Sequence, residues 1–207
     1  MTEVWYIRHG ESQSNAGLAT TGTAQVELTV LGHKQAIKAS AVFSKAPDLI
    51  VTSKYTRAMQ TAQYTIDRFS HVPVETWETH EFNYLSRRGT STMEERRPRA
   101  RAYWEQNDPT FIDGEDAESF EYFIQRIQTM QAEIQQRNGF IAIFGHGFLM
   151  KALLWSHLIN SYEVSDEYMR RFYAFHKTFE VPNGAIIKAE YLADRTLLSG
   201  LITGHLA

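Results

Sequence analysis

Short apolar runs alternate along the chain with longer stretches in which apolar residues recur at helical spacing. The short runs predict six strands, at residues 3–7, 49–51, 72–77, 139–145, 185–192 and 197–202. The run at 139–145 is apolar throughout between two glycines, which is typical of a strand covered on both faces. The longer stretches predict helices at residues 30–42, 55–69, 119–137, 148–158 and 165–176.

The first predicted helix shows both a start signal and an apolar face. Thr29 precedes it, and a threonine hydroxyl at this position can cap the free amide groups of a helix start. The residues expected to form its apolar face are Val30, Leu31, Ala36, Ile37, Ala41 and Val42.

The alternation of strands and helices predicts an α/β protein, a three-layer α/β/α sandwich with a mostly parallel central sheet. Residues 82–113 interrupt the alternation with a charged, arginine-rich stretch. We interpret this stretch as a small cap insertion of loop and helix over one end of the sheet. No repeat, low-complexity tract or linker divides the chain, so residues 1–207 are expected to form a single domain.

Composition narrows the classes of partner. The chain carries a net charge of −3 and no cysteine. This charge argues against nucleic-acid partners, and the absence of cysteine excludes disulfides, thiolate catalysis and zinc–thiolate sites. No apolar run approaches the roughly 18 residues that a membrane span needs. A cytoplasmic protein without membrane or nucleic-acid partners is expected, and a homodimer remains open.

Residues suited to bind an anion follow three of the predicted strands. Arg8 and His9 end the first strand, Arg57 lies one turn into the helix after the second, and His146 follows the fourth. In a parallel sheet, ligands bind beyond the carboxyl ends of the strands, so these side chains are expected to converge. Glu81 follows the third strand, at the border of the cap.

This combination of side chains has a defined chemistry. Guanidinium groups match the oxygens of a phosphate, and a neutral imidazole is a nucleophile that can attack phosphorus. A carboxylic acid nearby can protonate the departing alkoxide. Because fixed positive charge can stabilise the transferring phosphoryl group, neither a metal nor a cofactor is expected. For attack, one nitrogen of His9 must be unprotonated while an acceptor, most simply a backbone carbonyl, holds the other.

An ordered series of motifs resembles the histidine phosphatase superfamily, in its phosphoglycerate mutase-like branch 1. The motifs span nearly the whole chain and stand in the family's order. The matching residues are Arg8-His9-Gly10-Glu11 with Asn15, Leu28-Thr29 with Gly32 and Gln35-Ala36, Ser53 with Arg57-Ala58 and Gln60-Thr61-Ala62, Glu118-Ser119-Phe120 with Arg126, Gly145-His146-Gly147, and Pro182-Asn183-Gly184. The resemblance implies the phosphoglycerate mutase-like fold and a phosphohistidine intermediate.

The resemblance also implies roles for single residues. His9 would be the nucleophile and Glu81 the proton donor. The residues that would bind the phosphoryl group and stabilise its transfer are Arg8, Asn15, Arg57, His146 and Gly147. The segment after Glu81 lacks the glycine-rich pattern that is common in the family, so Glu78 and Glu75 remain alternative donors.

Three functions are compatible with these residues. The preferred one is a phosphomonoester hydrolase that acts on a small phosphorylated metabolite, because Phe82-Asn83-Tyr84 replaces the Arg-and-Tyr pattern of the mutases. A cofactor-dependent phosphoglycerate mutase-type phosphotransferase is the alternative, and the cap pair Arg96-Arg97 favours it. A phosphate-binding protein without turnover is the third.

The charged and aromatic residues of the cap each have two interpretations. The arginines could form a solvated face, in which Glu94 and Glu95 pair with Arg97 or Arg99. One or two of them could instead recognise an anionic part of the substrate. The aromatic residues that either line the substrate entrance or pack under the cap are Tyr84, Tyr103 and Trp104.

Overall fold

The computed structural model describes all 207 residues, and every predicted strand and helix is present in it. The strands are β1 (Thr2–Arg8), β2 (Leu49–Ser53), β3 (Val74–Trp77), β4 (Gly139–Gly145), β5 (Ile186–Tyr191) and β6 (Thr196–Leu198). The helices are α1 (Val30–Ala41), α2 (Thr56–Arg68), α3 (Met93–Gln106), α4 (Phe120–Gln135), α5 (Gly147–Ile159) and α6 (Asp166–Thr178), with a 3-10 turn at Gly204–Leu206. None of the helices combines the length and the apolar character that crossing a membrane requires.

The six strands form one sheet in the order β3-β2-β4-β1-β5-β6. The first four strands along the chain run parallel, whereas β5 is antiparallel to β1 and β6 is antiparallel to β5. The register places Arg8 of β1 beside Gly145 of β4. β4 pairs with β1 on one side and with β2 on the other. The carboxyl ends of β1, β4 and β2 therefore lie together at the edge where such sheets bind ligands.

Alternate side chains of β1 enter two different cores. Val4 and Tyr6 belong to the larger core, which also holds the buried faces of α4, α5 and α6. Trp5 and Ile7 belong to the smaller core, together with residues of α1 and α2. Because successive side chains of a strand point to opposite faces, β1 separates two helical layers. The expected α/β/α sandwich with a mostly parallel sheet is confirmed.

The predicted apolar face of α1 is wrong at its largest residues. Val30, Leu31 and Ile37 are exposed. The buried residues of α1 are instead Gly32, Ala36, Ala39 and Ser40. α1 packs beside α2 and places Gly32 directly against the backbone of Glu11. An approach this close admits only small side chains, so the bulky ones face outward.

The cap segment contains α3, which starts with a reciprocal capping arrangement. The hydroxyl of Thr92 accepts from the N–H of Glu95 at 3.2 Å, and the carboxylate of Glu95 accepts from the N–H of Thr92 at 2.7 Å. Near the other end of α3, Tyr103 and Trp104 are buried in the larger core. Of the three cap aromatics, only Tyr84 lines the cavity described below. The limits of the cap and the single-domain organisation stay predictions.

Gly32 is predicted to tolerate no side chain. A Cβ at this position would overlap the carbonyl oxygen of Glu11. We therefore expect Gly32→Ala to lower the free energy of unfolding, measured by urea titration, by at least about 2 kcal/mol. Gly200→Ala is the matched control, since nothing lies within 4 Å of its added Cβ, and it should change stability by less than about 0.5 kcal/mol. Equal stability of the two variants would contradict the close approach.

Candidate active site

His9 lies in the loop that leaves the carboxyl end of β1, and neighbouring strand ends hold its backbone. Its N–H donates to the carbonyl of Gly145 at 3.0 Å. Its own carbonyl accepts from the N–H of Gly184 at 3.2 Å and from the side-chain amide of Asn183 at 3.0 Å. The turn before β5 thus fixes the main chain of His9 while the imidazole is buried.

Gly10 brings the same loop against the two helices on one face of the sheet. Its N–H donates to the hydroxyl of Thr61 in α2 at 3.1 Å. A Cβ at Gly10 would overlap the backbone oxygen of Gly32 in α1. The loop can therefore lie this deep only because glycines stand at both points of contact.

The two ring nitrogens of His9 have different partners. Nδ1 lies 2.6 Å from the backbone oxygen of Gly10, so Nδ1 carries the ring proton. Nε2 accepts a hydrogen bond from Nε of Arg57 at 3.1 Å, so its lone pair is unprotonated. Burial lowers the pKa of His9 well below 6.5, and the charges of Arg57 and Arg8 lower it further. The ring is a neutral imidazole with its basic nitrogen toward the arginine, the state that nucleophilic attack requires.

Arg57 lies in the first turn of α2, two residues after the N-cap residue Tyr55. Its Nη1 donates to the carbonyl of Thr23 at 2.7 Å, and its guanidinium lies 4.9 Å from the ring centre of Tyr55. Its Nε is directed at His9. The side chain is therefore fixed at several points, which leaves a rigid cation beside the imidazole.

His146 is the N-cap residue of α5, and its ring centroid lies 5.1 Å from that of His9. Nε2 of His146 is 2.7 Å from the hydroxyl oxygen of Ser53, which also accepts from the N–H of Tyr55 at 3.1 Å. The hydroxyl proton is thus free to be donated to Nε2, and Nδ1 carries the ring proton. This Nδ1 is buried and has no hydrogen-bond partner.

Arg8 supplies a second buried donor without a partner. Its Nη1 donates to the carbonyl of Val181, but its Nε is buried and makes no hydrogen bond. The side chain lies against Gly147, since a Cβ added there would be 3.2 Å from Nε. The charge of Arg8 lowers the pKa of both His9 and His146, with burial as the largest cause in each case. Arg8 and His146 thus each carry a buried donor without an acceptor.

Glu81 follows the loop after β3 and reaches the start of α5. Its Oε1 accepts from the N–H of Phe148 at 3.0 Å and from the N–H of Phe82 at 3.2 Å. Burial raises the pKa of Glu81 above 4.5, although the charges of Arg57 and Arg8 oppose this shift. A carboxyl group with a raised pKa holds its proton closer to neutral pH, which suits a proton donor.

The two alternative carboxylates lie elsewhere. Glu78 has a side chain that is 63% exposed and pairs with Lys54 at 3.0 Å. Glu75 accepts from the indole N–H of Trp77 at 2.8 Å and pairs with Arg137 at 3.1 Å. Neither lines the cavity that contains His9. Of the three carboxylates considered, Glu81 alone lines the cavity that contains His9.

Arg126 of α4 holds the loop that carries Glu81. Its Nη1 donates to the carbonyl of Glu78 at 2.6 Å, and both of its Nη atoms lie 3.3 Å from the carbonyl of His80. The same guanidinium forms a buried pair with Glu118, with N–O distances of 2.7 and 2.8 Å. Glu118 and Arg126 belong to one motif of the sequence, and in the structure they bind each other.

A cavity of about 350 Å³ opens between the loop after β1 and the cap. The sequence-predicted residues that line it are His9, Asn15, Arg57 and Glu81. The predicted residues that do not line it are Arg8, His146 and Gly147. These three form a second layer next to the imidazole, connected through the His9–His146 ring contact and the Arg8–Gly147 contact.

Asn15 both holds the loop and lines the cavity. Its Oδ1 accepts from the N–H of Ser12 at 3.2 Å and from Nδ2 of Asn183 at 3.1 Å. The side-chain carbonyl is therefore occupied in loop structure, and the amide nitrogen remains as a donor for a ligand. Asn15 therefore combines a structural role of its oxygen with a position in the cavity wall.

Several positioning contacts had no separate prediction. The residues that make them are Ser53, Thr61, Arg126 and Asn183. Each of these residues belongs to a motif quoted above, so the sequence indicates that its position matters. The sequence does not indicate which group it bonds, because the partners lie far away along the chain.

The family model of the histidine phosphatase superfamily (branch 1) matches residues 4–198. The chain belongs to this superfamily. Among solved histidine phosphatase-like structures, a phosphoserine phosphatase from Entamoeba histolytica in complex with 3-phosphoglyceric acid has a TM-score of 0.76 and 22% identity, covering 100% of both chains. The alpha-ribazole phosphatase from Shigella flexneri has a TM-score of 0.73 and 25% identity, covering 96% of this chain and 95% of the other.

Curated relatives match a shorter part of this chain. Phosphoglycerate mutase 1 of Saccharomyces cerevisiae is 30% identical over 100 residues, which are 45% of this chain and 40% of the mutase. A 2,3-bisphosphoglycerate-dependent phosphoglycerate mutase of Streptomyces griseus is 35% identical over 89 residues, 40% of this chain and 35% of the mutase. The matched part thus spans less than half the length of these relatives.

The buried histidines predict how stability depends on pH. The pKa of His146 is far below 6.5 in the folded protein, so the unfolded chain binds the additional proton as the pH falls. The stability that the neutral ring contributes is present above pH 6.5 and is lost progressively below it. We expect His146→Gln to reduce the slope of the unfolding free energy between about pH 6 and pH 5 by about 1.4 kcal/mol per pH unit.

The measurement is a series of urea titrations at fixed pH values. His157→Gln, which changes an exposed histidine of the same helix, is the matched control. A His146→Gln slope equal to that of the wild type would contradict a neutral, buried imidazole at this position.

Proposed function

We propose that this histidine phosphatase is a phosphomonoester hydrolase that acts on a small phosphorylated metabolite through a phosphohistidine at His9. The observation that carries the proposal is the unprotonated Nε2 of His9, which accepts from Arg57 in the same cavity that the carboxyl group of Glu81 lines. A nucleophile, a fixed cation and a proton donor with a raised pKa meet in one cavity.

In the first step, Nε2 of His9 attacks phosphorus and the bond to the ester oxygen breaks. The leaving alkoxide takes the proton of Glu81. Arg57 gives up His9 as its acceptor and donates to a phosphoryl oxygen. The unpartnered Nδ1–H of His146 and Nε–H of Arg8 support the same role, because each is a buried donor without an acceptor.

In the second step, water attacks the phosphohistidine and the P–N bond breaks. The carboxylate of Glu81, now without its proton, accepts a proton from the water, and inorganic phosphate is released. The nitrogen of His9 regains its lone pair and its hydrogen bond from Arg57. No step needs a redox change, and the proton on Glu81 is restored at the end of the cycle.

The mutase alternative differs in the acceptor of the phosphoryl group. Its cap feature was the pair Arg96-Arg97, but Arg97 is 75% exposed and pairs with Glu94 at 2.8 Å. Only Arg96 of this pair is partly buried. The two arginines therefore do not act as a pair in the way that the mutase interpretation requires, which favours the hydrolase. Structures of phosphoserine phosphatase from Entamoeba histolytica in complex with 3-phosphoglyceric acid and with phosphoserine agree with a small phosphorylated substrate.

We also propose a cytoplasmic location, because a chain without cysteine fits a reducing compartment. The homodimer and the absence of nucleic-acid and membrane partners stay predictions. The hydrolase proposal depends on none of them.

The first test removes the nucleophile. We expect His9→Ala to lower kcat/KM for p-nitrophenyl phosphate by about 10⁴-fold or more, because no other group can form the covalent intermediate. Wild-type activity should persist in EDTA, and an alkaline quench should trap phosphate on His9.

Assays with 3-phosphoglycerate should release phosphate without isomerisation, even when primed with 2,3-bisphosphoglycerate. Isomerisation would support the mutase, and no His9-dependent turnover of any phosphoester would support the binding protein.

The second test separates the three carboxylates. Glu81→Gln should lower kcat/KM by about 10²- to 10⁴-fold for an alkyl phosphate, whose leaving oxygen needs a proton. The loss should be much smaller for p-nitrophenyl phosphate, because p-nitrophenolate leaves without one. Glu78→Gln is the matched control and should leave both values unchanged. Equal losses of Glu81→Gln on the two substrates would argue against a proton donor at this position.

A further inference from the structure

The Arg87 guanidinium is a cation that makes no ion pair and no hydrogen bond within the protein. Its Nε and Nη1 atoms are buried. Arg87 nonetheless lines the cavity that contains His9. Buried donors without an acceptor are rare in native proteins, so a group of this kind points to a ligand.

The two carboxylates that hold the Ser86–Arg87 backbone already accept other hydrogen bonds. Asp116 accepts from the backbone N–H of Arg87 at 3.0 Å and from the hydroxyl of Ser86 at 2.5 Å. Asp113 accepts from the N–H of Ser86 at 2.9 Å and pairs with Arg99. Asp116 and Asp113 therefore bind backbone groups, Ser86 and Arg99, and neither accepts a hydrogen bond from the guanidinium of Arg87.

The remaining cap arginines have carboxylate partners, with one exception. Arg97 pairs with Glu94, and both residues also line the cavity. Arg101 pairs with Glu105, and both of these side chains are exposed. Arg96 is the exception, since its side chain donates to neutral groups only. Its Nη1 reaches the carbonyl of Ser91 at 2.5 Å and its Nη2 reaches the hydroxyl of Ser14 at 3.3 Å.

Arg87 and Arg96 therefore stand as two cations without carboxylate partners in the wall of one cavity. Burial, with the charges of Arg96 and Arg57, lowers the pKa of Arg87 to about 10, although the charge of Asp116 opposes this shift. All three guanidinium groups line the same cavity. Glu81 is the carboxylate next to Arg57, so the surplus positive charge lies on the cap side of the cavity.

We propose that Arg87, with Arg96 beside it, binds a second anionic group of the phosphoester substrate, a carboxylate or a second phosphate. A planar guanidinium fork suits either group. The proposal rests on the proposed function in taking the phosphoester as the ligand. It divides the cavity into a reaction end at His9 and Arg57 and a recognition end at Arg87. A volume of about 350 Å³ suits a small molecule that carries both anionic groups.

The test measures affinity by calorimetry in the His9→Ala background, so that no turnover is needed. The three probes are 3-phosphoglycerate, propane-1,3-diol bisphosphate and glycerol 3-phosphate, which lacks a second anionic group. We expect the better of the first two to bind about 10- to 100-fold more tightly than glycerol 3-phosphate. The identity of the better probe distinguishes a carboxylate from a phosphate.

Arg87→Met in the same background should remove this preference and leave the affinity for glycerol 3-phosphate within about twofold. Arg101→Met, which removes an exposed and paired arginine of the same cap, should retain the preference. Equal affinity for all three probes before substitution, or an equal loss for all three in Arg87→Met, would overturn the proposal. Failure of the proposed function has a different signature, since it is the absence of His9-dependent hydrolysis.

Thermal unfolding supplies an independent readout of the same proposal. Because the guanidinium of Arg87 has no partner in the free protein, Arg87→Met should melt at the wild-type temperature or above it. A lower melting temperature would show that Arg87 supports the fold and would contradict the proposal. Arg87→Lys, which keeps the charge but loses the planar fork, should retain only part of the affinity preference.

Discussion

The structure of the site depends on one hydrogen bond, from Nε of Arg57 to Nε2 of His9. Only a neutral imidazole can accept it, and a buried arginine beside an imidazolium would be strongly repulsive. The bond therefore selects the protonation state, and the backbone oxygen of Gly10 selects the tautomer. The other features of the site either hold these two side chains in place or provide donors for the group that will separate them.

The fold brings these two side chains together from distant parts of the chain. His9 follows β1 and Arg57 follows β2, and these strands are separated in the sheet by β4 alone. β4 itself contributes His146, so three consecutive strand ends in space deliver three functional groups. Ser53 at the end of β2 holds His146 through a hydroxyl hydrogen bond, which links the ends of β2 and β4. Precision in the site thus derives from the register of a parallel sheet.

Local patterns were sufficient for the fold and for the residues that gather near His9. Strand runs and helical spacing gave the order of elements, and the carboxyl-edge rule predicted which side chains would converge. The burial of α1 was not accessible in this way, because it depends on the close approach of Gly32 to the loop of Glu11. The predicted end of β6 at residue 202 is also wrong, since β6 ends at Leu198. At the next residue, the hydroxyl of Ser199 takes the place of a backbone carbonyl and accepts from the N–H of Lys188.

Within the site, residue types could be predicted but pairing could not. Nothing local indicated that Arg126 would clamp the loop of Glu81 or that Ser53 would meet His146, since each contact joins positions far apart along the chain. The cap arginines show the same limit. Their composition suggested either a solvated face or an anion site, and only the allocation of carboxylates among them separates Arg87 from Arg97.

The reversal of direction at β5 has a consequence for how the site is built. Because β5 runs antiparallel to β1, its amino end lies at the carboxyl end of β1, where Ile7 pairs with Ile186. A turn that precedes this strand can therefore reach the loop that carries His9, and the side-chain amide of Asn183 donates to the carbonyl oxygen of His9. A parallel strand in this place would carry the same turn to the opposite edge of the sheet. Strand polarity thus lets a residue near the end of the chain serve a loop that follows the first strand.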